Sequence, residues 1–303
     1  MKFKDKEILI TDVTARDGFQ MEKAWIPTAT KIDIINKIIA TGVKRIEAAA
    51  FVSPKKVPQM RDAEEVVTKI EKREGLRTAA LVANYKGAKR ALAAGVDEIQ
   101  AVLSVSETHN LENVDKDIKT SISEMGEMAN LAKKHNIVFN VSLSTVFGCS
   151  FEGIMPVEKT VQVIDALSEY DISLFVLSDT TGMANPRQTY DYATILQKEF
   201  PQLMFGLHFH NARGMGSANI LAGYEAGITR FDSAVGGIGG CPFTPNAAGN
   251  VCTEDLAFMF QEMGLKTGID VPKLVKLAQE IETLLGRTLP GYMMKTVNSL
   301  KFD

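Results

Sequence analysis

Two histidines one residue apart, His208 and His210, are the residues whose types and spacing most directly suggest chemistry in this chain. Side chains two positions apart on an extended strand project from the same face, so both imidazoles can face one metal ion. The run before them, residues 203–207, is largely apolar, whereas residues 211–215 are polar and include a glycine. The pair is therefore predicted to lie where a buried strand ends. Alone, such a pair is more often structural than catalytic, so further ligands must converge on it.

The composition limits the partners that such a site can serve. The 303 residues are 45% hydrophobic and 23% charged, with a formal net charge of -3, which is ordinary for a globular protein. There is no long run of Lys and Arg, so neither a nucleic acid nor a membrane surface is an expected partner. No apolar run approaches the length that spans a membrane. Small molecules are the expected partners.

The cysteines and the first residues indicate a compartment. Three cysteines in a long chain do not form a disulfide framework, which suits a reducing environment. Residues 1–7 lead directly into the strand-like Ile8-Leu9-Ile10, without the apolar core of a secretory signal or an Arg- and Ser-rich transit segment. The cytoplasm is therefore the predicted location.

The elements that must position the histidines alternate between strand and helix. Ile32, Ile35 and Ile39, for example, recur at helical spacing after the first strand-like run. Seven of the predicted strands cover residues 8–13, 45–51, 78–82, 98–104, 137–143, 173–178 and 229–235, and one more carries the histidines. Eight strand–helix units predict a parallel (β/α)8 barrel of the α/β class, the TIM barrel. A doubly wound open sheet is the alternative, but the count favours the barrel.

The whole chain, residues 1–303, is predicted to form a single domain, because no Pro-, Gly- or Ser-rich linker divides it. The barrel is expected to cover about residues 6–265, since roughly 250 residues are typical of this fold. The surplus, about residues 268–303, is expected to be a C-terminal helical extension whose main helix runs from Pro272 to Leu285.

Polar side chains occur at the predicted carboxyl ends of several strands, where the loops of a barrel build its active site. Besides the histidines, they are Arg16, Asp17 and Gln20 after strand one, Glu47 in strand two, Asp179 after strand six, and Cys241 and Asn250 in the segment after strand eight. A mixed set of carboxylate, imidazole and amide ligands is more typical of Mg²⁺ or Mn²⁺ than of zinc bound at a thiolate-rich site. Asp17, His208, His210 and Asn250 are therefore the predicted metal ligands. Glu47, among apolar neighbours, is expected to be buried and to need a partner.

Several of these segments occur together in a known family. They are Arg16-Asp17-Gly18-Phe19-Gln20, Ile46-Glu47, Phe51-Val52-Ser53-Pro54, Val57-Pro58-Gln59-Met60, His208-Phe209-His210, the glycine-rich stretch from Gly236 through Cys241-Pro242 to Gly249-Asn250-Val251, and Thr253-Glu254-Asp255. In this order they closely resemble the 3-hydroxy-3-methylglutaryl-CoA lyase family, and the resemblance covers nearly the whole chain. That family belongs to the metal-dependent lyases and synthases on TIM barrels. Phe19 stands where the synthases carry Glu, and the Cys241 loop is a lyase feature.

The resemblance implies a reaction and its cofactor. The reaction is the retro-Claisen cleavage of 3-hydroxy-3-methylglutaryl-CoA, or of a close analogue, to acetyl-CoA and a keto acid, acetoacetate. The implied cofactor is a divalent cation, Mg²⁺ or Mn²⁺, which lowers the pKa of the substrate's tertiary hydroxyl. An acyl-CoA is thus the expected partner, and a homodimer is the implied assembly.

The resemblance also implies a role for each site residue. Asp17 or His208 accepts the hydroxyl proton, and Arg16 stabilises the enolate of acetyl-CoA. Cys241 protonates the enolate carbon as a general acid. The remaining implied roles are those of Glu47 and Asp179, which orient Arg16 or complete a proton relay, and of Gln20, which supports the loop.

Two departures from the family are expected to affect the choice of acyl group. Asn211-Ala212-Arg213-Gly214 replaces a pattern in which an acid follows the histidines, which removes an acid and adds a cation. The histidine at position 109 makes this loop more similar to that of the synthases than to that of the best-known lyases. The predicted substrate-binding residues are Arg16, Gln20, His109, Asn211 and Arg213.

Alternatives to these predictions remain at the level of sequence. The chain is also compatible with a condensing synthase of the same superfamily, or with a lyase for another acyl-CoA such as citramalyl-CoA. A non-catalytic metal-binding barrel would predict lost ligands, and none is lost. Asp17 before Gly18 and Asp179 are also typical turn residues, and Cys252 is predicted to be a small core residue.

Overall fold

Eight parallel strands form a closed barrel in the computed structural model, which describes residues 7–240 and 249–296. Numbered β1 to β8 in chain order, the strands are Leu9–Asp12, Arg45–Ala50, Arg77–Val82, Glu98–Ser104, Val138–Ser144, Leu174–Asp179, Phe205–Phe209 and Arg230–Ser233. They follow one another around the barrel in chain order, and β1 closes it by pairing with β8. The predicted TIM barrel is confirmed. The open sheet is wrong, because every barrel strand has a neighbour on both sides.

Helices cover the outside of the barrel. Numbered α1 to α11 in chain order, they are Thr28–Ala40, Ala63–Lys69, Tyr85–Ala94, Glu107–Val114, Ile118–Lys134, Val157–Leu167, Pro186–Glu199, Gly216–Glu225, Thr253–Glu262, Val271–Leu285 and Met293–Thr296. Each longer helix buries one apolar stripe, such as Ile35 and Ile38 of α1, and each such side chain contributes roughly 1.5–3 kcal/mol by burial. The helix α10 is the predicted C-terminal addition.

No helix within the described ranges combines the length and the apolar character that a membrane crossing requires.

The boundaries agree best where periodicity is clear. The strand β4 begins and ends where the sequence predicts. The strand β7 begins and ends two residues later than the apolar run 203–207, so His208 lies inside it and His210 directly after it. The histidine pair thus lies at the end of a buried strand, as predicted.

Two elements near the carboxyl end of the barrel were not predicted. The helix α4 is short and mostly polar, and it depends on a cap, because the Ser106 hydroxyl accepts a hydrogen bond from the N–H of His109 at 3.1 Å. A hairpin joins Gly148–Cys149 to Gly153–Ile154, and two-residue strands are too short to show alternation.

Thr253 does not cap α9. The helix begins at Thr253 itself, after Cys252, and makes no side-chain cap hydrogen bond. The Thr253 hydroxyl instead donates to the buried carboxylate of Asp12 at 2.9 Å. Glu254 and Asp255 do lie in the first turn, where carboxylates favour the helix dipole.

A buried polar network fills the amino end of the barrel interior. The guanidinium of Arg45 donates to Glu98 at 2.7 Å and to Gln100 at 2.9 Å. Asn140 donates to the same Glu98 carboxylate at 2.9 Å. The buried charges of Arg45 and Glu98 therefore compensate each other, as burial requires.

The segment after α10 packs beneath the glycine-rich turn Val235–Gly237, which follows β8. Leu289 approaches the central glycine so closely that a Cβ atom there would lie 2.5 Å from the leucine Cδ1. The Glu254 carboxyl accepts a hydrogen bond from the N–H of that glycine at 3.0 Å. Its neighbour Asp255 accepts one from the N–H of Tyr292 at 2.9 Å. Two adjacent acids on α9 thus join the turn to the C-terminal segment.

Glu254→Gln is expected to make the protein less sensitive to rising pH. Burial, and then repulsion from Asp255, raise the pKa of Glu254 to about 8, from its ordinary value of 4.5. Between these values the folded state binds one more proton than the unfolded state, so the free energy of unfolding falls as pH rises. Glutamine stays neutral and should remove this fall, about 1.4 kcal/mol per pH unit.

Urea unfolding of parent and variant at pH 5 and pH 8 tests this expectation. The variant should gain stability relative to the parent at the higher pH. Glu262→Gln, at an exposed position on the same helix, is the control. A difference between parent and Glu254→Gln that is the same at both pH values would contradict the assignment.

Candidate active site

Asp17, His208 and His210 meet at the carboxyl end of the barrel. Their potential ligand atoms all lie within 4.8 Å of one another, and all three side chains are buried. Asp17 belongs to a π-helical turn, Thr14–Gly18, that directly follows β1. The strands β1 and β7 both border β8, so closure of the barrel brings Asp17 and His210 together across 193 positions of sequence.

The two imidazoles are oriented by their Nδ1 atoms. His210 Nδ1 donates to the carbonyl oxygen of Thr180 at 3.0 Å, because a carbonyl can only accept. His210 Nε2 then lies 3.3 Å from the Asp17 carboxylate. His208 Nδ1 lies 3.3 Å from the carboxylate of Asp232, which leaves its Nε2 as the free ligand atom. Both rings thus present the same nitrogen to the centre of the cluster.

Asn250 is buried beside this cluster. Its side-chain N–H donates to Asp17 at 2.7 Å and to the carbonyl oxygen of Ile238 at 2.9 Å. Its Oδ1 is buried and has no hydrogen-bond partner among the described residues, and an unsatisfied buried acceptor costs about 1–3 kcal/mol. Gly239 gives the amide its room, since a Cβ at that position would lie 2.5 Å from Asn250 Nδ2 and 3.0 Å from Asp17 Oδ2.

These four side chains fit a divalent cation. They offer two imidazole nitrogens, a carboxylate oxygen and an amide oxygen that has no other partner in the described part of the chain. Burial opposes ionisation of Asp17, but the Arg16 cation and the two histidines hold its pKa well below the usual range. Asp17 is therefore a carboxylate at every ordinary pH, as a metal ligand must be. The structure brings all four predicted ligands together.

Arg16 lies beside the cluster and is held in a fixed orientation. Its Nε donates to Glu47 at 2.7 Å and its Nη2 to the second oxygen of the same carboxylate at 3.4 Å. Its Nη1 forms an ion pair with Asp17. Burial disfavours the charge, but Glu47 and Asp17 outweigh burial and raise the pKa of Arg16. A permanent, oriented cation therefore faces the cluster, and the predicted burial and pairing of Glu47 are confirmed.

A cavity of about 900 Å³ opens onto the cluster. Arg16, His208 and His210 are among the residues that line it, and the cationic side chains of Lys56 and Lys116 also contribute to its wall. A volume of this size is typical of sites that bury most of a small ligand. The candidate ligands and the fixed cation are thus accessible to a substrate.

Gln20 and His109 also line this cavity. The Gln20 side-chain amide donates to Asp17 at 3.2 Å, which fits the predicted support of the loop. His109 Nδ1 lies 2.6 Å from the Ser104 hydroxyl. Burial lowers the pKa of His109 to about 4, so this imidazole is neutral at physiological pH. His109 therefore offers the cavity a neutral ring and not a cation.

Five predicted site residues of the described chain do not line the cavity: Glu47 and Asn250, which contact the cluster, and Asp179, Asn211 and Arg213. The Asp179 carboxylate accepts hydrogen bonds from the N–H groups of Met183 at 2.8 Å and Ala184 at 3.1 Å, and burial raises its pKa to about 6. Asn211 accepts a bond from the N–H of a residue that begins α8, at 2.9 Å. Arg213 donates to the carbonyl oxygens of residues 181 and 182 at 2.9 and 2.7 Å. The side chains of Asp179, Asn211 and Arg213 thus organise the loops after β6 and β7.

Cys241, the predicted general acid, lies outside the described residues. Of the other two cysteines, Cys252 is buried against Gly237, as expected for a core residue. Cys149 is buried in the hairpin, with its sulfur 3.1 Å from the Ser106 hydroxyl.

Two features near the cluster were missed. Asp232 faces His208 from β8. The sequence pattern that could have identified it is an acidic residue in the middle of a predicted barrel strand. Thr145, directly after β5, has a φ of 61°, which is rare for a β-branched residue. Its backbone therefore carries strain, which is common at functional sites, next to the cavity-lining Ser144. No pattern in the sequence predicts this strain.

The chain matches one family over almost its whole length. A sequence model of the HMGL-like family matches residues 7–281. A hydroxymethylglutaryl-CoA lyase of Bacillus subtilis (strain 168) is 40% identical over 294 residues, which covers 97% of this chain and 98% of that protein. An (R)-citramalyl-CoA lyase of Chloroflexus aurantiacus is 35% identical over 298 residues, which covers 95% of this chain and 94% of that one.

Solved structures agree with these matches. A crystal structure of the Bacillus subtilis HMG-CoA lyase superposes with a TM-score of 0.95 at 39% identity, and covers 99% of this chain and 100% of that chain. The structure of an HMG-CoA lyase from Acinetobacter baumannii, in complex with coenzyme A and 3-methylmalate, superposes with a TM-score of 0.94 at 40% identity. That match covers 100% of this chain and 99% of that chain.

Proposed function

The chain belongs to the HMGL-like family, and we propose from this membership and from the site that it cleaves 3-hydroxy-3-methylglutaryl-CoA to acetyl-CoA and acetoacetate. It is a carbon–carbon lyase. The observation that carries the proposal is the meeting of Asp17, His208 and His210 with the oriented cation of Arg16 at one end of the cavity. This arrangement supplies both a cation site and a stabiliser of negative charge to one substrate.

The proposed cofactor is Mg²⁺ or Mn²⁺, held by Asp17, His208, His210 and Asn250. Such a cation, when bound, lowers the pKa of a hydroxyl group and polarises a neighbouring carbonyl. The mixed nitrogen and oxygen donors support this choice, as does Asn250 Oδ1, which no described residue contacts by a hydrogen bond. Supply of the metal is therefore expected to be obligatory for turnover.

The chain's own residues manage charge and protons. The bond between C2 and C3 of the acyl group breaks, the C3 hydroxyl becomes a ketone and loses its proton, and C2 leaves as the enolate of acetyl-CoA. Asp17 or His208 accepts the hydroxyl proton. Arg16 lies beside Asp17 and stabilises the enolate oxygen, and Glu47 keeps the guanidinium in place. Cys241 returns a proton to C2 in this proposal.

A citramalyl-CoA lyase activity is the second candidate, favoured by the 35% identical relative from Chloroflexus aurantiacus. Citramalyl-CoA undergoes the same cleavage, but its carboxylate arm is one methylene shorter. One methylene changes kcat/KM by about 10- to 200-fold in a fitted pocket. The values of kcat/KM for 3-hydroxy-3-methylglutaryl-CoA and citramalyl-CoA should therefore differ clearly.

The proposal is tested by incubating the protein with Mg²⁺ and each thioester while acetyl-CoA is measured. Release from 3-hydroxy-3-methylglutaryl-CoA that is lost on chelation and restored by Mg²⁺ is the expected result. A larger kcat/KM for citramalyl-CoA would select the second candidate. Release that survives chelation would contradict the metal, and free thiol from acetyl-CoA plus a 2-oxo acid would indicate a synthase.

The proposed partner is an acyl-CoA, and the proposed location is the cytoplasm. The buried, free thiols of Cys149 and Cys252 support a reducing compartment. The homodimer that the family resemblance implies stays a prediction.

A further inference from the structure

The carboxylate of Asp232 lies directly behind one of the two candidate metal-binding histidines. Asp232 and His208 are paired in register on the neighbouring strands β8 and β7. Asp232 Oδ2 lies 3.3 Å from His208 Nδ1, and each side chain is only 8% exposed. Because both residues belong to hydrogen-bonded strands, the backbone of the barrel sets their separation. The contact is thus built into the fold.

The two histidines differ in what supports them. His210 Nδ1 donates to a backbone carbonyl, that of Thr180 at 3.0 Å, whereas His208 Nδ1 faces a side-chain carboxylate. Hydrogen bonds to an ionised acceptor are roughly twice as strong as those between neutral groups. A carboxylate behind an imidazole also fixes the tautomer and makes the other nitrogen a better donor to a metal.

We propose that Asp232 is a positioning residue that holds His208 with its Nε2 directed at the divalent cation and strengthens that nitrogen as a ligand. Asp232 contacts the imidazole and is not itself among the four candidate ligands, so it acts through His208. The inference rests on the proposed function only for the presence of the cation. It does not depend on which acyl-CoA is cleaved.

Alternative explanations for a buried Asp232 make a different prediction. An acid retained only to balance the barrel interior, which also holds Arg16 and Arg45, would affect stability without singling out one histidine. Removing Asp232 should in that case lower the unfolding temperature and leave metal binding unchanged. The positioning role predicts the opposite pattern, because its effect is exerted at His208 Nε2.

Direct metal binding distinguishes these explanations. The full-length protein is freed of metal and titrated with Mn²⁺, and free Mn²⁺ is followed by electron paramagnetic resonance. Asp232→Asn keeps the shape and weakens the acceptor, whereas Asp232→Ala removes it. Loss of such a supporting group typically weakens metal affinity by about 10- to 100-fold. We expect a loss within this range for the alanine variant and a smaller loss for the asparagine variant.

Asp12→Asn is the matched control, since Asp12 is also a buried interior carboxylate but contacts Thr14 and Thr253 and no candidate ligand. An unchanged Mn²⁺ dissociation constant in Asp232→Asn and Asp232→Ala, or an equal loss in Asp12→Asn, would overturn the proposal. Should the alanine variant not fold, the isosteric Asp232→Asn decides alone.

A second measurement reports on the ring itself. The chain has four histidines, so their ring ¹⁵N signals are readily assigned in the metal-free protein, where no cation at Nε2 fixes the tautomer. The Nδ1–H form of His208 should be lost in Asp232→Ala while that of His210 is kept. Both measurements need no substrate, so absence of lyase activity would count against the proposed function without touching this inference.

Discussion

Replacing Asp17 with asparagine is expected to lower kcat for acyl-CoA cleavage by about 10³-fold, because several kcal/mol of metal-assisted stabilisation are lost. Asp17 is the one carboxylate in the candidate ligand set, and it also contacts Arg16, His210 and Asn250. Asparagine keeps the size of the side chain but removes the charge that attracts the cation. It also leaves Arg16 with Glu47 as its remaining carboxylate contact among the described residues.

The measurement is kcat at saturating substrate over a range of Mg²⁺ concentrations, together with the Mn²⁺ dissociation constant. In Asp17→Asn, kcat should fall and the Mn²⁺ dissociation constant should rise, and excess metal should recover only part of the rate. Asp12→Asn again serves as the control, since it neutralises a buried acid near the same strand end without touching the ligand set. Full activity of Asp17→Asn without added metal would exclude the proposed cation site.

Arg16→Lys is expected to lower kcat by about 10²- to 10³-fold, the usual effect of removing a donor that faces developing negative charge. Lysine keeps the charge but lacks the planar guanidinium. That group lets Arg16 bind both carboxylate oxygens of Glu47 and one oxygen of Asp17 at the same time. The ammonium group is therefore not held where the enolate forms. Mn²⁺ affinity should stay close to that of the parent, which separates this effect from loss of the metal.

Arg45→Lys is the matched control for that substitution. Arg45 is also buried and also donates through Nε to a carboxylate at 2.7 Å, but it lies at the amino end of the barrel and does not line the cavity. It should lower the unfolding temperature and leave kcat of the folded protein unchanged. Equal loss of kcat in the two variants would mean that Arg16 acts through stability alone.

The barrel could be predicted because its signal is repeated. Each unit combines a buried apolar strand with a helix that has one apolar stripe, and eight repeats outweigh errors at any single boundary. The errors fell where the repeat gives no information. The helix α4 depends on the local cap at Ser106, and the hairpin around Cys149 has strands of two residues. Such elements depend on tertiary contacts more than on periodicity.

The ligand cluster could also be predicted, because a closed barrel necessarily gathers the carboxyl ends of its strands. Asp17, His208, His210 and Asn250 met as expected. The directions of side chains in the loops were harder to predict, because they depend on which backbone groups need hydrogen-bond partners. Asp179 binds two loop N–H groups and does not line the cavity, and the same is true of Asn211 and Arg213 in the loop after β7.

The departures from the family pattern differ in where the structure places their side chains. The guanidinium of Arg213 donates to two carbonyl oxygens of the loop after β6, and its contact with the substrate stays a prediction. Asn211 is similarly occupied by the start of α8. His109, in contrast, does line the cavity, so of the three it is the residue whose position supports a direct effect on the acyl group.

The contact between the C-terminal segment and the turn Val235–Gly237 has a consequence for biosynthesis. The ribosome releases the eight barrel strands before it releases Leu289 and Tyr292, because synthesis runs from the N-terminus at about 5–20 residues per second. A nascent barrel can thus close while the turn still lacks its support from these residues. The turn Val235–Gly237 therefore gains its full support only after all eight strands have been synthesised, so a nascent chain with a closed barrel still lacks the contacts that hold this turn.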